Sequence, residues 1–131
     1  MAQTTETYQF ATEKATRLLG QMAFQVSRTV KSRNANAIHD LRVSIRRFTQ
    51  VLTALKPCFP AKEAKKIRRR LGNIMTAAGE VRNRDIAVKL LSKYQAAEAG
   101  SLVRTLESQR RATERELVRS LRRWVDRNWT A

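Results

Sequence analysis

The sequence predicts an all-α fold, an antiparallel four-helix bundle, and three observations indicate it. Only four glycines and two prolines interrupt 131 residues, which leaves room for long helices. Apolar residues recur at spacings of three and four, and the strict alternation of a half-buried strand is absent. The links between helical stretches are short, which makes consecutive helices antiparallel neighbours. We expect one domain over residues 1–131, because this length supports a single core.

A turn that contains two asparagines separates the first two helices. The first helix is predicted from about Thr5 to Arg33, and a turn at 34–36 should follow it. Asparagine favours the N-cap position, so Asn36 should begin the second helix, about Ala37 to Lys56. Its apolar residues should form one buried stripe: Ile38, Leu41, Ile45, Phe48, Leu52 and Leu55.

Two prolines separate the second helix from the third. They bound the segment 57–60, where the chain should break sharply. The third helix is predicted to start near Ala61 and to bend or break around Gly79. Its continuation should carry Ile86 and Leu90 on the inner face.

The fourth helix is predicted after a connection at 96–100 and should run from about Ser101 to Asn128. Its inner face should carry Leu102, Leu106, Leu117, Leu121 and Trp124.

The charge of the chain indicates its class of partner. Lysine and arginine total 27 against 11 acidic residues, which gives a formal net charge of +16. A domain this basic favours polyanions, such as nucleic acid, an anionic membrane surface or phosphate polymers. Arginine predominates among the basic residues, and its planar guanidinium makes paired hydrogen bonds to phosphate.

Cysteine content and hydropathy indicate the compartment. Cys58 is the only cysteine, which excludes an intrachain disulfide and fits a reducing environment. No apolar run approaches the length of about 20 residues that spans a bilayer, and the first ten residues lack a signal-peptide core. We therefore expect a cytoplasmic protein with no membrane partner.

Three basic side chains share one side of the second helix. At about 100° per residue, His39, Arg42 and Arg46 fall within about 60° of one another, beside the apolar stripe. His39 and Arg46 lie about 10 Å apart along the helix axis. This spacing suits an extended ligand with repeated negative charge. We interpret the three residues as an anion-binding ladder on the wall of a groove beside the neighbouring helix.

Two segments resemble a known family. Residues 39–47, HDLRVSIRR, are similar to the signature of CHAD domains, the conserved histidine α-helical domain family. Residues 79–86, GEVRNRDI, are similar to a second element of that family, G-x-x-R-D-x-D-V. Asn83 stands where the family usually has an aspartate, and Thr49 where a further arginine commonly follows.

The resemblance implies a complete domain of two similar four-helix units around a basic cavity, and this chain resembles the first unit alone. It also implies binding of inorganic polyphosphate and location at polyphosphate granules. A half-length unit leads us to expect a homodimer in which two copies rebuild the cavity, because two-fold dimers are the commonest assembly.

We expect eight basic residues to form the polyphosphate-binding surface. Arg82 belongs to the second family element, and Arg68 and Arg69 would extend a basic rim. Arg110 falls on the apolar stripe of the fourth helix, where an unpaired guanidinium needs a cavity of water and phosphate. Arg47 points away from the core and should be more solvated. The full set is His39, Arg42, Arg46, Arg47, Arg68, Arg69, Arg82 and Arg110.

Nucleic-acid binding and catalysis are the two other functions to compare with polyphosphate binding. Sequence-independent nucleic-acid binding is the alternative, although the few aromatic residues fall mostly on core stripes instead of forming stacking platforms. Catalysis is not expected, because the acidic residues are scattered and no glycine-rich loop precedes a helix. We interpret Asp85 as the orienting partner of a nearby arginine, and we expect no catalytic residue, metal or cofactor. Arg119 and Arg122 should matter less for polyphosphate binding than Arg42 and Arg46.

Overall fold

The computed structural model describes residues 2–94 and 99–126, and these form four α-helices and one short 3-10 turn. The helices are α1 (Ala2–Ser32), α2 (Ala35–Ala54), α3 (Ala61–Tyr94) and α4 (Ala99–Asp126). The 3-10 turn, Lys56–Cys58, lies at the predicted proline break. No strand occurs in the described residues, so the predicted all-α bundle is confirmed. The predicted connection at 96–100 falls largely outside the described residues.

The helices pack in a ring. α1 packs on α2, α2 on α3, α3 on α4 and α4 back on α1, so that α2 and α4 lie on a diagonal of the bundle. The core fills the centre, and its largest fully buried side chains come from all four helices: Met22, Val26, Ile38, Leu41, Ile45, Leu71, Val81, Leu117 and Leu121.

The turn between α1 and α2 is tighter than the sequence suggested. Arg33 adopts a left-handed conformation with φ of 53°, which ends α1 within one residue. Asn34 then caps α2, because its side-chain oxygen accepts a hydrogen bond of 2.8 Å from the Ala37 backbone N–H. The prediction that Asn36 is the N-cap was therefore wrong, because the cap lies two residues earlier in the sequence.

The predicted bend or break at Gly79 does not divide α3, which is one helix from Ala61 to Tyr94. A glycine inside a helix costs about 1 kcal/mol relative to alanine. Its neighbours Ala78 and Val81 are fully buried in the core, and their packing outweighs that local cost.

The far end of the α3–α4 hairpin projects beyond the other two helices. Arg110 on α4 contacts both Asp85 on α3 and the Arg33 carbonyl at the α1–α2 turn, which places these three residues at one level. Residues 86–94 therefore extend about 14 Å past that turn. The inward positions predicted for Ile86, Leu90 and Leu102 were wrong: these side chains are 44%, 51% and 52% exposed, because no helix covers them.

Candidate anion-binding site

The outer face of α2 carries four basic side chains. The helix forms because Asn34 caps it and its apolar stripe is buried against the core. From the edge of that stripe round to the opposite side of the helix, Arg42, Arg46, His39 and Arg47 follow one another across an arc of about 140°. Arg42 stands on the side of α3, and Arg47 stands on the side of α1.

Arg42 is the centre of a group of like charges. Its side chain is partly buried, and its Nε is buried with no hydrogen-bond partner in the protein. Burial lowers the pKa of Arg42, and the nearby charges of Arg82 and then Arg46 lower it further. Arg82 comes from α3, so two helices bring these guanidinium groups together. We call Arg42, Arg46 and Arg82 the α2–α3 cluster.

The neighbouring acidic side chains are committed to other arginines. Asp40 forms an ion pair of 2.5 Å with Arg28 of α1. Glu80, two residues before Arg82 on α3, pairs with Arg84. None of the ion pairs found among the described residues involves Arg42, Arg46 or Arg82. No ion pair among the described residues therefore neutralises the positive charge of the α2–α3 cluster.

His39 lines a groove that does not include Arg42 or Arg46. It is exposed and lines a groove of about 820 Å³ between α1 and α2, which we call the α1–α2 groove. Arg47 lines the same groove. The predicted ladder is thus divided: Arg42 turns towards α3, whereas His39 projects almost directly away from the apolar stripe of its own helix.

The α1–α2 groove contains residues that sequence reasoning missed. Arg17 lines it from α1, together with Gln21 and Gln25, and these three residues recur four apart. This polar row beside the apolar stripe of α1 is the sequence pattern that could have predicted the groove. Phe24 also lines the groove and is 65% exposed, so the expectation that the aromatic residues fall mostly on core stripes does not hold for it, nor for Tyr8 and Phe10, which are exposed as well.

Arg110 holds the bundle together and does not face the α2–α3 cluster. Its Nε donates to Asp85 at 2.5 Å, its Nη1 to Glu114 at 2.7 Å, and its Nη2 to the Arg33 carbonyl at 3.0 Å. All three nitrogens thus have protein acceptors, and the expected phosphate-filled cavity is not needed. Asp85 does orient a nearby arginine, as its position in the sequence suggested.

The structure does not bring the basic rim to the α2–α3 cluster. Arg68 lies on the same side of α3 as Arg82 but about 21 Å away along the axis. Arg69 is exposed and about 100° further round the helix. Consecutive arginines on a helix point in different directions, and this spacing leaves both residues outside a shared site.

The described residues contain no group of three or more histidine, cysteine or acidic side chains placed to hold a metal ion. Within residues 2–94 and 99–126, no helix combines the length and the apolar character needed to cross a bilayer.

The comparisons with known proteins give one finding. No curated protein and no solved structure matches the chain significantly. The family model described as the CHAD domain matches residues 13–128, which include most of α1 and all of α2, α3 and α4. Because this match covers most of its length and includes both segments singled out in the sequence, the chain belongs to the CHAD domain family.

Proposed function

We propose that this protein binds inorganic polyphosphate without transforming it, and that the α2–α3 cluster is the principal site. One observation carries the proposal: three guanidinium groups from two helices meet close enough to lower the pKa of Arg42, with no acidic partner. Such an arrangement is unfavourable by itself, and a ligand with several negative charges would neutralise it. CHAD domains are known in polyphosphate-associated proteins, which supports this choice of polyanion.

The proposed mechanism is replacement of counterions along a linear polymer. Arg42 and Arg46 lie one turn apart, about 6 Å along α2. They would contact successive phosphates of the polymer, while Arg82 would contact the same polymer from α3. Three phosphate contacts of this kind imply a loss of affinity of about twentyfold to fortyfold between 50 and 200 mM salt.

Absence of catalysis is part of the proposal. Enzymatic transfer or hydrolysis of phosphate commonly uses carboxylates that hold metal ions beside the phosphates. The carboxylates closest in sequence to Arg42 and Arg82, Asp40 and Glu80, pair with Arg28 and Arg84. Incubation of the protein with polyphosphate and Mg²⁺ should leave the polymer length unchanged on a gel, and shortening would disprove this part.

Competition at 0.15 M salt tests the choice of ligand. Labelled long-chain polyphosphate bound to the protein would be challenged with unlabelled polyphosphate, single-stranded DNA and double-stranded DNA at equal phosphate concentration. We expect at least tenfold weaker competition by either DNA. Equal competition would reduce the site to a general basic surface.

Single-stranded nucleic acid is the second candidate ligand, and Phe24 favours it. An exposed aromatic ring among Arg17, His39 and Arg47 provides a surface on which a base stacks while cations contact its backbone. Phe24→Ala should weaken single-stranded DNA binding about fivefold or more, since one stacked base contributes about 1–3 kcal/mol. Polyphosphate has no bases, so its affinity should not change.

A homodimer is also proposed. The chain resembles one of the two units of a complete domain, and the end of the α3–α4 hairpin exposes Ile86, Leu90 and Leu102. A second copy would cover this apolar surface. Light scattering should give twice the 15.0 kDa chain mass at micromolar concentration, and Leu90→Glu with Leu102→Glu should restore the single mass. A wild-type monomer would contradict the proposed dimer.

Cytoplasmic location and targeting to polyphosphate granules stay predictions.

A further inference from the structure

A second group of arginines lines a groove on α4. The groove has a volume of about 460 Å³, and five of its six lining residues are arginines: Arg33, Arg115, Arg119, Arg122 and Arg123, with Val118. The side chain of Val118 is 5% exposed, so the floor beneath these arginines is part of the core. The sequence had suggested that Arg119 and Arg122 contribute little.

The spacing of the α4 arginines matches that of an extended anion. Arg115, Arg119 and Arg122 fall within about 60° of one another and span about 10 Å along the helix. This is the same length as the run from His39 to Arg46 on α2. Arg123 widens the row on one side, and Arg33 borders the groove from the end of α1.

The charge of this groove is largely uncompensated. Of the arginines that line the groove, Arg33 is the only one with an ion pair among the side chains that the structure describes. Its partner is Glu114, at 3.6 Å. Glu114 is shared with Arg110, to which it is closer at 2.7 Å. Arg115, Arg119, Arg122 and Arg123 form no ion pair with residues 6–93 and 100–125, the ranges whose side chains the structure describes. Like charges that share a concave surface attract anions more strongly than the same charges spread over a convex one.

The groove is separate from the α2–α3 cluster. α2 and α4 lie on a diagonal of the helix ring, and the outer faces of diagonal helices point to opposite sides of a bundle. One short anion therefore contacts one surface or the other. Arg104 and Arg111 lie on α4 as well and are exposed, but they do not line the groove, and they provide a matched control.

We infer that the α4 groove is a second binding site for phosphate polymers. One protein molecule would then bind two polyphosphate segments on its opposite faces and bridge them. The identity of the polymer rests on the proposed function, whereas the existence of a second anion site does not. Two sites on one molecule raise the effective concentration of polymer at the second site once the first is occupied, and they join separate polymers into a network.

The number of sites is measured by isothermal titration of the full chain with inorganic tripolyphosphate at 50 mM salt. We expect two tripolyphosphates per chain for the wild type and for Arg104→Ala/Arg111→Ala, and one for Arg119→Ala/Arg122→Ala. A single site in the wild type, or two sites in the Arg119/Arg122 variant, overturns the inference. Arg119→Lys/Arg122→Lys keeps the charge and should keep two sites, which checks that any loss is electrostatic and not a failure to fold.

The same titration separates this inference from the proposed function. If Arg42→Ala/Arg46→Ala keeps two sites while Arg119→Ala/Arg122→Ala drops to one, the α2–α3 cluster fails and the α4 groove stands. Turbidity with long-chain polyphosphate tests bridging directly: the wild type should cloud the solution, and the Arg119/Arg122 variant should stay clear at the same concentrations. Equal turbidity of the two proteins would contradict bridging through α4.

Discussion

Arg42 and Arg110 occupy similar places in the bundle but have opposite surroundings. Each is partly buried beside the apolar stripe of its helix and reaches towards neighbouring helices. Arg110 meets Asp85, Glu114 and a backbone carbonyl, so its charge is neutralised within the protein. Arg42 meets Arg46 and Arg82. The distribution of acidic residues thus decides which arginine has its charge neutralised within the described part of the protein and which does not.

Removal of two charges from the α2–α3 cluster should have the largest effect. Each charge-assisted phosphate contact contributes about 1.5–3 kcal/mol, so Arg42→Ala/Arg46→Ala should lose at least about 3 kcal/mol, or a hundredfold, in polyphosphate affinity. Fluorescence titration at 0.15 M salt measures it. Arg104→Ala/Arg111→Ala removes the same charge from exposed positions on α4 and should lose less than tenfold. Equal losses would show that total charge, not the cluster, determines binding.

Arg110→Ala should act on stability instead of affinity. The substitution removes the guanidinium that donates hydrogen bonds to Asp85, Glu114 and the Arg33 carbonyl. We expect a loss of about 2 kcal/mol in the free energy of unfolding. Urea denaturation followed by circular dichroism measures it, with Arg111→Ala as the exposed neighbour. The folded variant should bind polyphosphate within about twofold of the wild type. A large loss of affinity would place Arg110 in the site after all.

The lowered pKa of Arg42 becomes measurable if lysine replaces arginine. Burial and the charges of Arg82 and Arg46 disfavour the protonated form at this position. Arginine stays protonated regardless, whereas the same surroundings would lower the pKa of a lysine below its ordinary value of about 10.4, so that more than half of it is deprotonated at that pH. Polyphosphate binding by Arg42→Lys should therefore weaken at least about twofold between pH 7 and 10.4, while wild-type binding stays constant. Parallel pH profiles would mean that Arg42 has no unfavourable electrostatic environment.

The smallest expected effect is a gain of stability. Arg42→Met keeps an unbranched apolar stem and removes a partly buried charge that faces two like charges. We expect the free energy of unfolding to rise by about 0.5 kcal/mol, opposite in sign to the change in Arg110→Ala. A destabilised Arg42→Met would indicate that Arg42, like Arg110, has a structural role.

Local sequence patterns predicted the helices well because capping and apolar spacing act over a few residues. The bounds of α2 differ from the prediction by two residues because Arg33 takes a left-handed conformation that only the packed turn requires. The break at Gly79 was wrong because burial of Ala78 and Val81 outweighs a local glycine cost.

The candidate site was harder to predict than the helices. Helical spacing placed Arg42 and Arg46 together, and the family segment 79–86 added Arg82. Spacing along one helix does not reveal which carboxylates other helices bring, and so Arg110 was assigned to the ligand instead of to Asp85. The arginine-lined groove on α4 was missed for the same reason: its depth depends on packing between helices.

The projecting end of the α3–α4 hairpin also sets a kinetic hierarchy within the molecule. Beyond the level of Asp85 and Arg110, two helices support only each other, and Leu90 and Leu102 are about half exposed. Amide hydrogens there should exchange with solvent through local opening, long before those of α2, whose core side chains are released only by global unfolding. We therefore expect residues 86–93 and 100–109 to open and close repeatedly while α2 stays folded.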